Sequence, residues 1–276
     1  EPEILESQEC CARSPFIDAR IEIGYSWGQF IGIKEDYAEL GLFLPAVFCD
    51  QWAIFVDGRG YRFENDQWGA SAGVGVRRFI CDGNILGVNF YYDYLEGENR
   101  GFFDRFGVGF EWLGPCFDLR VNGYYPVGGH ESIVSNTFTC TYPGTAFVYT
   151  RSRVDFSISK GFDAEIGMPL FCKCHFRLYG AVGPYYYDRK NHEGFWGGYA
   201  RLDLSIWDYF WVRVRSSYDE VYHSRTQVTL LLSLPLDFLC NWRCCRDYCR
   251  DLLTQPVRRN GIIFTDQPCT QRTWNW

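Results

Sequence analysis

The sequence predicts an all-β protein, a transmembrane antiparallel β-barrel of about 12 strands with a short C-terminal helix and an extended linker. Three observations favour this fold. Apolar side chains occupy every second position in successive runs of roughly ten residues, which is the period of a β-strand. Aromatic residues make up 19% of the chain, as suits a membrane barrel with interfacial aromatic girdles. The connections between runs are alternately long and short.

The first run shows the pattern that the later ones repeat. Ile23 and Trp27 lie on one face of the predicted strand, and Arg20 and Glu22 lie on the other. Such alternation also fits a soluble β-sandwich, but the length and number of the runs favour the barrel. The same pattern recurs in runs that include residues 86–94, 105–112, 117–122, 162–168, 200–206 and 228–234.

Charged residues on the polar faces are expected to line the lumen. They would either form an ion filter or fill the interior with salt bridges. The predicted lumen-lining residues are Asp93, Arg105, Glu111, Asp118, Arg120, Asp163, Glu165, Arg201, Asp203, Arg213 and Arg215.

Connection lengths predict the orientation and the domain limits. If the N-terminus is periplasmic, the odd connections, which are long and charged, face outward, and the short even ones face the periplasm. We expect a periplasmic segment at 1–15, the barrel at 16–238 and a Cys-rich helix with linker at 239–276. The chain opens without the features of a signal peptide, so any secretory signal is expected to have been removed.

Most of the 13 cysteines gather at the predicted periplasmic rim. Disulfide bonds, some of them to other Cys-rich envelope proteins, are favoured over a zinc site at residues 240–249, because the spacing there lacks the usual C-x2-C. No metal or cofactor is predicted. The disulfide candidates are Cys10, Cys11, Cys49, Cys81, Cys116, Cys172, Cys174, Cys240, Cys244, Cys245, Cys249 and Cys269.

Several motifs resemble the β-domain of inverse autotransporters, the intimin and invasin type. They are LGVNFYYDYLEGENRGFFDRFGVGFEW (86–112), DLRVNGYYPVGGHES (118–132), SKGFDAEIGMPL (159–170) and the linker PVRRNGIIF (256–264), with weaker matches at 70–79 and 177–188. The resemblance implies that the linker threads the lumen after a short helix, with Arg258, Arg259 and Asn260 contacting lumen charges. A lumen occupied in this way favours filling by salt bridges over an ion filter. In the family an adhesive passenger follows the linker, whereas here about a dozen residues follow Phe264.

Two local patterns have functional alternatives. His130, Glu131, Ser132 and Asn136 could form a loop-borne hydrolase site, although the resemblance already accounts for the His and the Ser as loop residues. The tyrosines at 185–187 could stack a sugar or peptide, although an interfacial girdle is the more economical interpretation.

The sequence therefore predicts an outer-membrane translocator or anchor with little or no passenger, and no enzyme. The alternatives are a porin-like diffusion channel, a cysteine-crosslinked surface protein and, remotely, the hydrolase. Expected partners are outer-membrane lipid, Cys-rich envelope proteins and a host surface met by the outer loops. A net charge of −7 argues against nucleic acid. The cysteine content would suit a disulfide-crosslinked envelope, as in chlamydia-like bacteria.

Overall fold

The computed structural model describes residues 19–275 apart from ten short gaps. Side chains are described except at residue 48, in 131–159 and from 265 onward. A single helical turn occupies residues 252–254, and no helix in the described part is long and apolar enough to cross a membrane. The gaps are 49–50, 81–82, 97–101, 128–130, 142–147, 159, 174–175, 190–192, 237–251 and 267–268.

Within the described residues, sixteen strands follow one another along the chain. They are β1 (Arg20–Gly28), β2 (Tyr37–Phe48), β3 (Trp52–Phe63), β4 (Trp68–Phe79), β5 (Ile85–Glu96), β6 (Phe102–Leu113), β7 (Asp118–Pro126), β8 (Glu131–Thr141), β9 (Val148–Ile158), β10 (Lys160–Lys173), β11 (Phe176–Asp188), β12 (Phe195–Ile206), β13 (Phe210–Asp219), β14 (His223–Pro235), β15 (Thr265–Asp266) and β16 (Cys269–Asn275).

Strands β1–β7 and β10–β14 form a closed antiparallel barrel in sequence order. Closure occurs between β1 and β14, where Arg20 lies opposite Pro235 and Gly28 lies opposite Gln227. Closure pairs the backbone N–H and C=O groups of the edge strands, which is the condition for a sheet to span a bilayer. The predicted fold class is therefore confirmed, with 12 strands in the barrel. The domain limits stay a prediction.

The two faces of the barrel have opposite chemistry. On β1, Ile23 and Trp27 point outward and are 51% and 44% exposed, whereas Glu22 and Ser26 point inward and are buried. The same alternation runs along β5, where Val88 is exposed and Asn89 is buried. An apolar outer face with a polar interior is the pattern of a membrane barrel, and it is the reverse of a soluble sandwich.

The barrel has two rims, which differ in their connections. We call the end with the β1–β2, β3–β4, β5–β6, β7–β10, β11–β12 and β13–β14 connections the loop rim, and the other end the turn rim. Because the number of strands is even, β1 begins and β14 ends at the turn rim.

A second, small sheet lies at the loop rim, and two of its strands come between the barrel strands β7 and β10 in the chain. The long connection between β7 and β10 contains the antiparallel strands β8 and β9, and β9 also pairs with β15 and β16 from the C-terminal end of the chain. Thr265 lies opposite Ile158 and Asn275 lies opposite Val148. The sequence predicted a loop at residues 127–150, as one of the long outward connections, and the C-terminal partner strands were not predicted.

Candidate functional site in the barrel lumen

The predicted lumen charges share one interior. Arg213 and Arg215 are partly buried. The other nine are buried, each at most 6% exposed; they are Asp93, Arg105, Glu111, Asp118, Arg120, Asp163, Glu165, Arg201 and Asp203. Because strand side chains alternate, these residues come from the inward positions of β5, β6, β7, β10, β12 and β13.

Arg120 is the centre of one ion-pair network. Its guanidinium lies 2.9 Å from Asp118, 3.3 Å from Glu165 and 3.8 Å from Glu111. Tyr179 bridges the network, accepting a hydrogen bond from Arg120 and donating one to Asp118, both at 2.8 Å. Buried charges persist only when they are paired and hydrogen-bonded, and this network meets that condition across four strands.

Arg201 extends the network around the wall. It pairs with Glu165 at 2.6 Å and with Asp203, and Arg213 pairs with the other oxygen of Asp203 at 2.9 Å. Arginine suits this role because its fork can hold two carboxylates at once. The interior of the barrel is thereby filled by salt bridges on this side.

The linker crosses the lumen and begins near the turn rim. Leu252 and Leu253 pack in an apolar cluster with Ala53, Ile85 and Leu113, which flank the short connections. Arg77, fully buried, donates to the carbonyl oxygens of Leu253 at 3.0 Å and Gln255 at 2.5 Å, and pairs with Glu111 at 2.9 Å. One arginine therefore fixes the linker main chain to the wall.

Midway through the lumen, Asp93 is held between two arginines. It pairs with Arg105 at 2.7 Å and with Arg259 of the linker at 2.5 Å, and both wall residues are 0% exposed. Arg259 also donates to the Ser71 hydroxyl at 3.0 Å. The linker thus contributes a charge that the barrel wall requires.

Asn260 continues this contact through its backbone. Its carbonyl oxygen accepts from Arg105 at 2.7 Å, and its N–H donates to the Tyr124 hydroxyl at 3.0 Å. Tyr124 in turn donates to Asp163 at 2.6 Å.

Arg258, the third linker residue predicted to contact lumen charges, has a different environment. Its guanidinium lies over the Trp211 ring, 5.2 Å from the centroid, and forms no ion pair with a described carboxylate.

At the loop rim the linker ends in an aromatic cluster. Phe264 is 1% exposed and stacks on Tyr187 with the ring centroids 4.7 Å apart. The β1–β2 connection folds inward over it, so that Phe30 and Ile33 are buried, and its Gly32 backbone lies against Phe264. The linker therefore runs the length of the lumen, and β15 begins immediately after it.

The tyrosines at 185–187 correct one expectation. Tyr185 and Tyr187 are 0% and 1% exposed and belong to the aromatic cluster inside the lumen, while Tyr186, between them, lies on the outer face and packs against Trp196. The girdle interpretation was therefore wrong for two of the three, because alternate residues of a strand must point to opposite faces.

Several of the other predicted residues lie outside the part of the chain that the structure describes. Cys116 and Cys172 have exposed, free thiols in the structure. Cys269 lies in β16, where side chains are not described, and His130 and residues 240–249 lie in gaps, so the zinc and hydrolase alternatives are not tested. Ser132 and Asn136 are in β8, also without described side chains. The remaining disulfide candidates lie in gaps as well: Cys10, Cys11, Cys49, Cys81, Cys174, Cys240, Cys244, Cys245 and Cys249.

Sequence reasoning missed Arg77, Tyr124 and the β1–β2 connection. Arg77 had a signal, because it follows Ser71, Gly73 and Gly75 at the inward positions of β4, and small residues mark a crowded interior. The inward fold of Phe30 and Ile33 had none, since an apolar pair in a loop is compatible with many positions.

Comparisons with known proteins agree with this geometry. The family model described as inverse autotransporter, beta-domain, matches residues 19–168, more than half of the chain. The chain belongs to this family. It is therefore an outer-membrane β-barrel of the anchor and translocator type, and the family is not one of enzymes.

Individual relatives support the same assignment. Intimin of Escherichia coli O157:H7 and intimin of strain E2348/69 (O127:H6) are each 32% identical over 119 residues. The match covers 39% of this chain and 12% of each intimin, so the chain spans only a small part of these relatives. A solved structure from a study of in-meso crystallization of membrane proteins is 18% identical, with a TM-score of 0.63, and covers 91% of this chain and 100% of that one; it shows the fold alone.

Proposed function

We propose that this barrel anchors its chain in the outer membrane and carries the C-terminal segment through the lumen to the cell surface. The observation that carries the proposal is the continuous set of linker contacts, from Leu253 at the turn rim to Phe264 at the loop rim. Strands β15 and β16 follow directly and pair with β9 on the loop-rim side.

The wall binds the linker largely through its main chain. Arg77 and Arg105 donate to linker carbonyl oxygens, and Tyr124 accepts from a linker N–H. An extended chain inside a barrel must have its backbone groups satisfied by such partners. Main-chain recognition tolerates other sequences during passage, while the Arg259–Asp93 pair defines the final position.

Orientation follows from the two rims. Outer-membrane barrels keep short turns in the periplasm and longer loops outside. The connection that contains β8 and β9 is the longest here, which supports placing the loop rim outside and both ends of the barrel, at Arg20 and Pro235, in the periplasm.

Epitope labelling on intact cells tests the export. One epitope is inserted in the β8–β9 connection (142–147), one in the β10–β11 turn (174–175) and one after Trp276, each in a separate copy of the full chain. We expect antibody to label the first and third on intact cells and the second only after permeabilisation. Heat-modifiable migration of each variant on gels shows that the barrel is folded.

Two results would contradict the proposal. If the epitope after Trp276 requires permeabilisation while that in the β8–β9 connection does not, the barrel holds the linker without exporting it. If the β10–β11 epitope is labelled on intact cells instead, the orientation is reversed.

The exposed thiols support a second contact, with other Cys-rich proteins of the envelope. Cys116 follows β6 and Cys172 lies near the end of β10, both at the turn rim. In the proposed orientation these thiols face an oxidising compartment, where intermolecular disulfides form. Non-reducing gels of cells carrying Cys116→Ser with Cys172→Ser should lose high-mass species; their persistence would place any crosslink at other cysteines. Contact of the loop-rim connections with a host surface stays a proposal.

A further inference from the structure

A small cavity lies beside the linker and is lined by inward residues of β2 to β5, β10, β12 and β13. It is closed toward the loop rim by the inward-folded β1–β2 connection, including Phe30 and Ile33. Its charged lining contains more arginines than carboxylates: Arg59, Arg201, Arg213, Arg215, Arg258 and Arg259 against Glu39, Asp57, Asp163 and Glu165.

Most of these arginines already have carboxylate partners. Arg59 pairs with Glu22 at 3.1 Å, and Arg259 pairs with Asp93. Asp203 is shared between Arg201 and Arg213. In the described part of the chain, Arg215 and Arg258 have no carboxylate within ion-pair distance.

The surroundings of Arg215 add to the excess of positive charge. It lies directly opposite Arg201 in the register of β12 and β13, a cross-strand arrangement in which like charges destabilise the sheet. Its guanidinium reaches only neutral oxygens, those of Tyr37 at 3.2 Å and of Gln227, and stacks over Phe30. Its buried Nε meets no acceptor among the described residues.

Arg258 brings a further positive charge from the linker. It lines the same cavity as Arg213 and Arg215. The positive charges of Arg213 and Arg201 repel its guanidinium, and the carboxylates of Asp203 and Glu22 offset this repulsion in part. Arg213 and Arg215 are two residues apart on β13, so their side chains point to the same face. Three guanidinium groups therefore line one cavity, and of these three only Arg213 has a carboxylate partner among the described residues, Asp203, which it shares with Arg201.

We propose that Arg213, Arg215 and Arg258 bind a phosphate-type oxyanion inside the lumen, which bridges the linker to β13. A guanidinium offers a planar fork of donors that matches the oxygens of a tetrahedral anion, and buried like charges require such a counter-charge. The anion supplies the acceptor that Arg215 Nε lacks. The site makes retention of the linker dependent on anions, a property separate from export of the C-terminal segment.

Calorimetric titration of the folded full chain in detergent with inorganic phosphate, at constant ionic strength in chloride, tests the site. We expect one saturable site that sulfate competes for and that acetate and chloride do not. Arg258→Gln and Arg215→Gln should each weaken phosphate binding at least 10-fold, following the loss of a charge-assisted contact. Arg258→Lys, which keeps the charge and loses the fork, should lie between.

Arg62→Gln is the matched control, because Arg62 is exposed at the loop rim, pairs with Asp66 and lies outside the cavity. It should bind phosphate as the unchanged chain does. Arg258→Gln leaves every barrel strand intact, so folding is retained and the comparison stands even if Arg215→Gln fails to fold. Absence of phosphate and sulfate binding, binding undiminished in Arg258→Gln, or preference for acetate over phosphate would each overturn the proposal.

Discussion

At the scale of single residues, the lumen depends on charges that have no access to water. Asp93 and Arg105 are both 0% exposed, and Arg259 completes the group from the linker. Removing one partner from a buried ion pair leaves an uncompensated charge, which costs far more than the pair itself contributes. Asp93 carries this risk most directly, because two arginines depend on it.

Replacing Asp93 by Asn should therefore lower the free energy of unfolding by about 3–5 kcal/mol. The measurement is urea unfolding of the refolded barrel in lipid. Asp66→Asn is the control: Asp66 also pairs with an arginine, but its side chain is 87% exposed, and exposed pairs contribute little. Equal effects of the two changes would show that the burial of Asp93 has no energetic consequence.

Gly73 shows how tightly the interior is packed. A Cβ on this inward position of β4 would lie 2.3 Å from the ring of Tyr91, whose hydroxyl donates to Asp57 and whose face supports Arg259. Gly73→Ala should destabilise the barrel by about 1–3 kcal/mol through overpacking. Gly58→Ala in β3, where nothing lies within 4 Å, should not. The measurement is the thermal unfolding of both variants. If the Gly73→Ala variant is as stable as the Gly58→Ala variant, the interior at Gly73 is not tightly packed.

Sequence alternation was sufficient to identify the inward charges, since a strand can place a side chain on only two faces. It could not separate Arg258 from Arg259. Their different environments depend on how the linker is rotated inside the barrel, and that rotation is determined by Asp93 and Trp211, which lie far away in sequence.

At the scale of elements, the β1–β2 connection and the linker hold each other. Gly32 has a φ of +71°, a left-handed conformation that glycine adopts without strain. A Cβ there would lie 2.5 Å from the Phe264 ring. The connection can therefore close over the linker only because residue 32 has no side chain.

Gly32→Ala should loosen the loop-rim end of the linker and raise the rate of trypsin cleavage after Arg258 or Arg259 in the folded barrel. Gly83→Ala is the control, because Gly83 has a similar φ of +77° in the β4–β5 connection at the turn rim. It introduces comparable backbone strain at the rim opposite Phe264. Equal cleavage rates in the two variants would attribute the effect to strain alone.

The twelve barrel strands were predictable because each is long and alternates apolar with polar residues, and because the pairing follows the order of the barrel strands along the chain. Strand β8 and the first residues of β9 lie in the connection, residues 127–150, that was interpreted as a loop, and β16, the partner of β9, is more than 100 residues further on. A strand seven residues long whose pairing is so distant leaves no local pattern, so its place in the sheet could not be read from the sequence.

At the scale of the whole molecule, the β-sheet closes into a barrel without the linker, whereas the lumen is blocked by the linker. The β1–β14 seam is formed by barrel strands alone, whereas residues 252–264 occupy the interior from rim to rim. The diffusion-channel alternative requires an open lumen, and this plugged one is expected to conduct poorly.

Planar-bilayer recordings should show low conductance for the full chain and large, stable steps for a chain that ends before Leu252. Retained heat-modifiable migration of the shortened chain verifies that the barrel still folds. Large steps from the full chain would favour the porin-like alternative, and a silent but folded shortened barrel would show that side chains of the wall alone block the lumen.

The pairing of β16 with β9 has a mechanical consequence. The two strands run antiparallel, from Cys269 opposite Val154 to Asn275 opposite Val148, and β9 joins the barrel wall through β10. A pull on Asn275 directed away from Thr265 acts along the strand axis, so it loads all the inter-strand hydrogen bonds together, in shear. A sideways pull would open them one at a time. The junction between the barrel and the small loop-rim sheet is thus strongest against tension along the axis of β16.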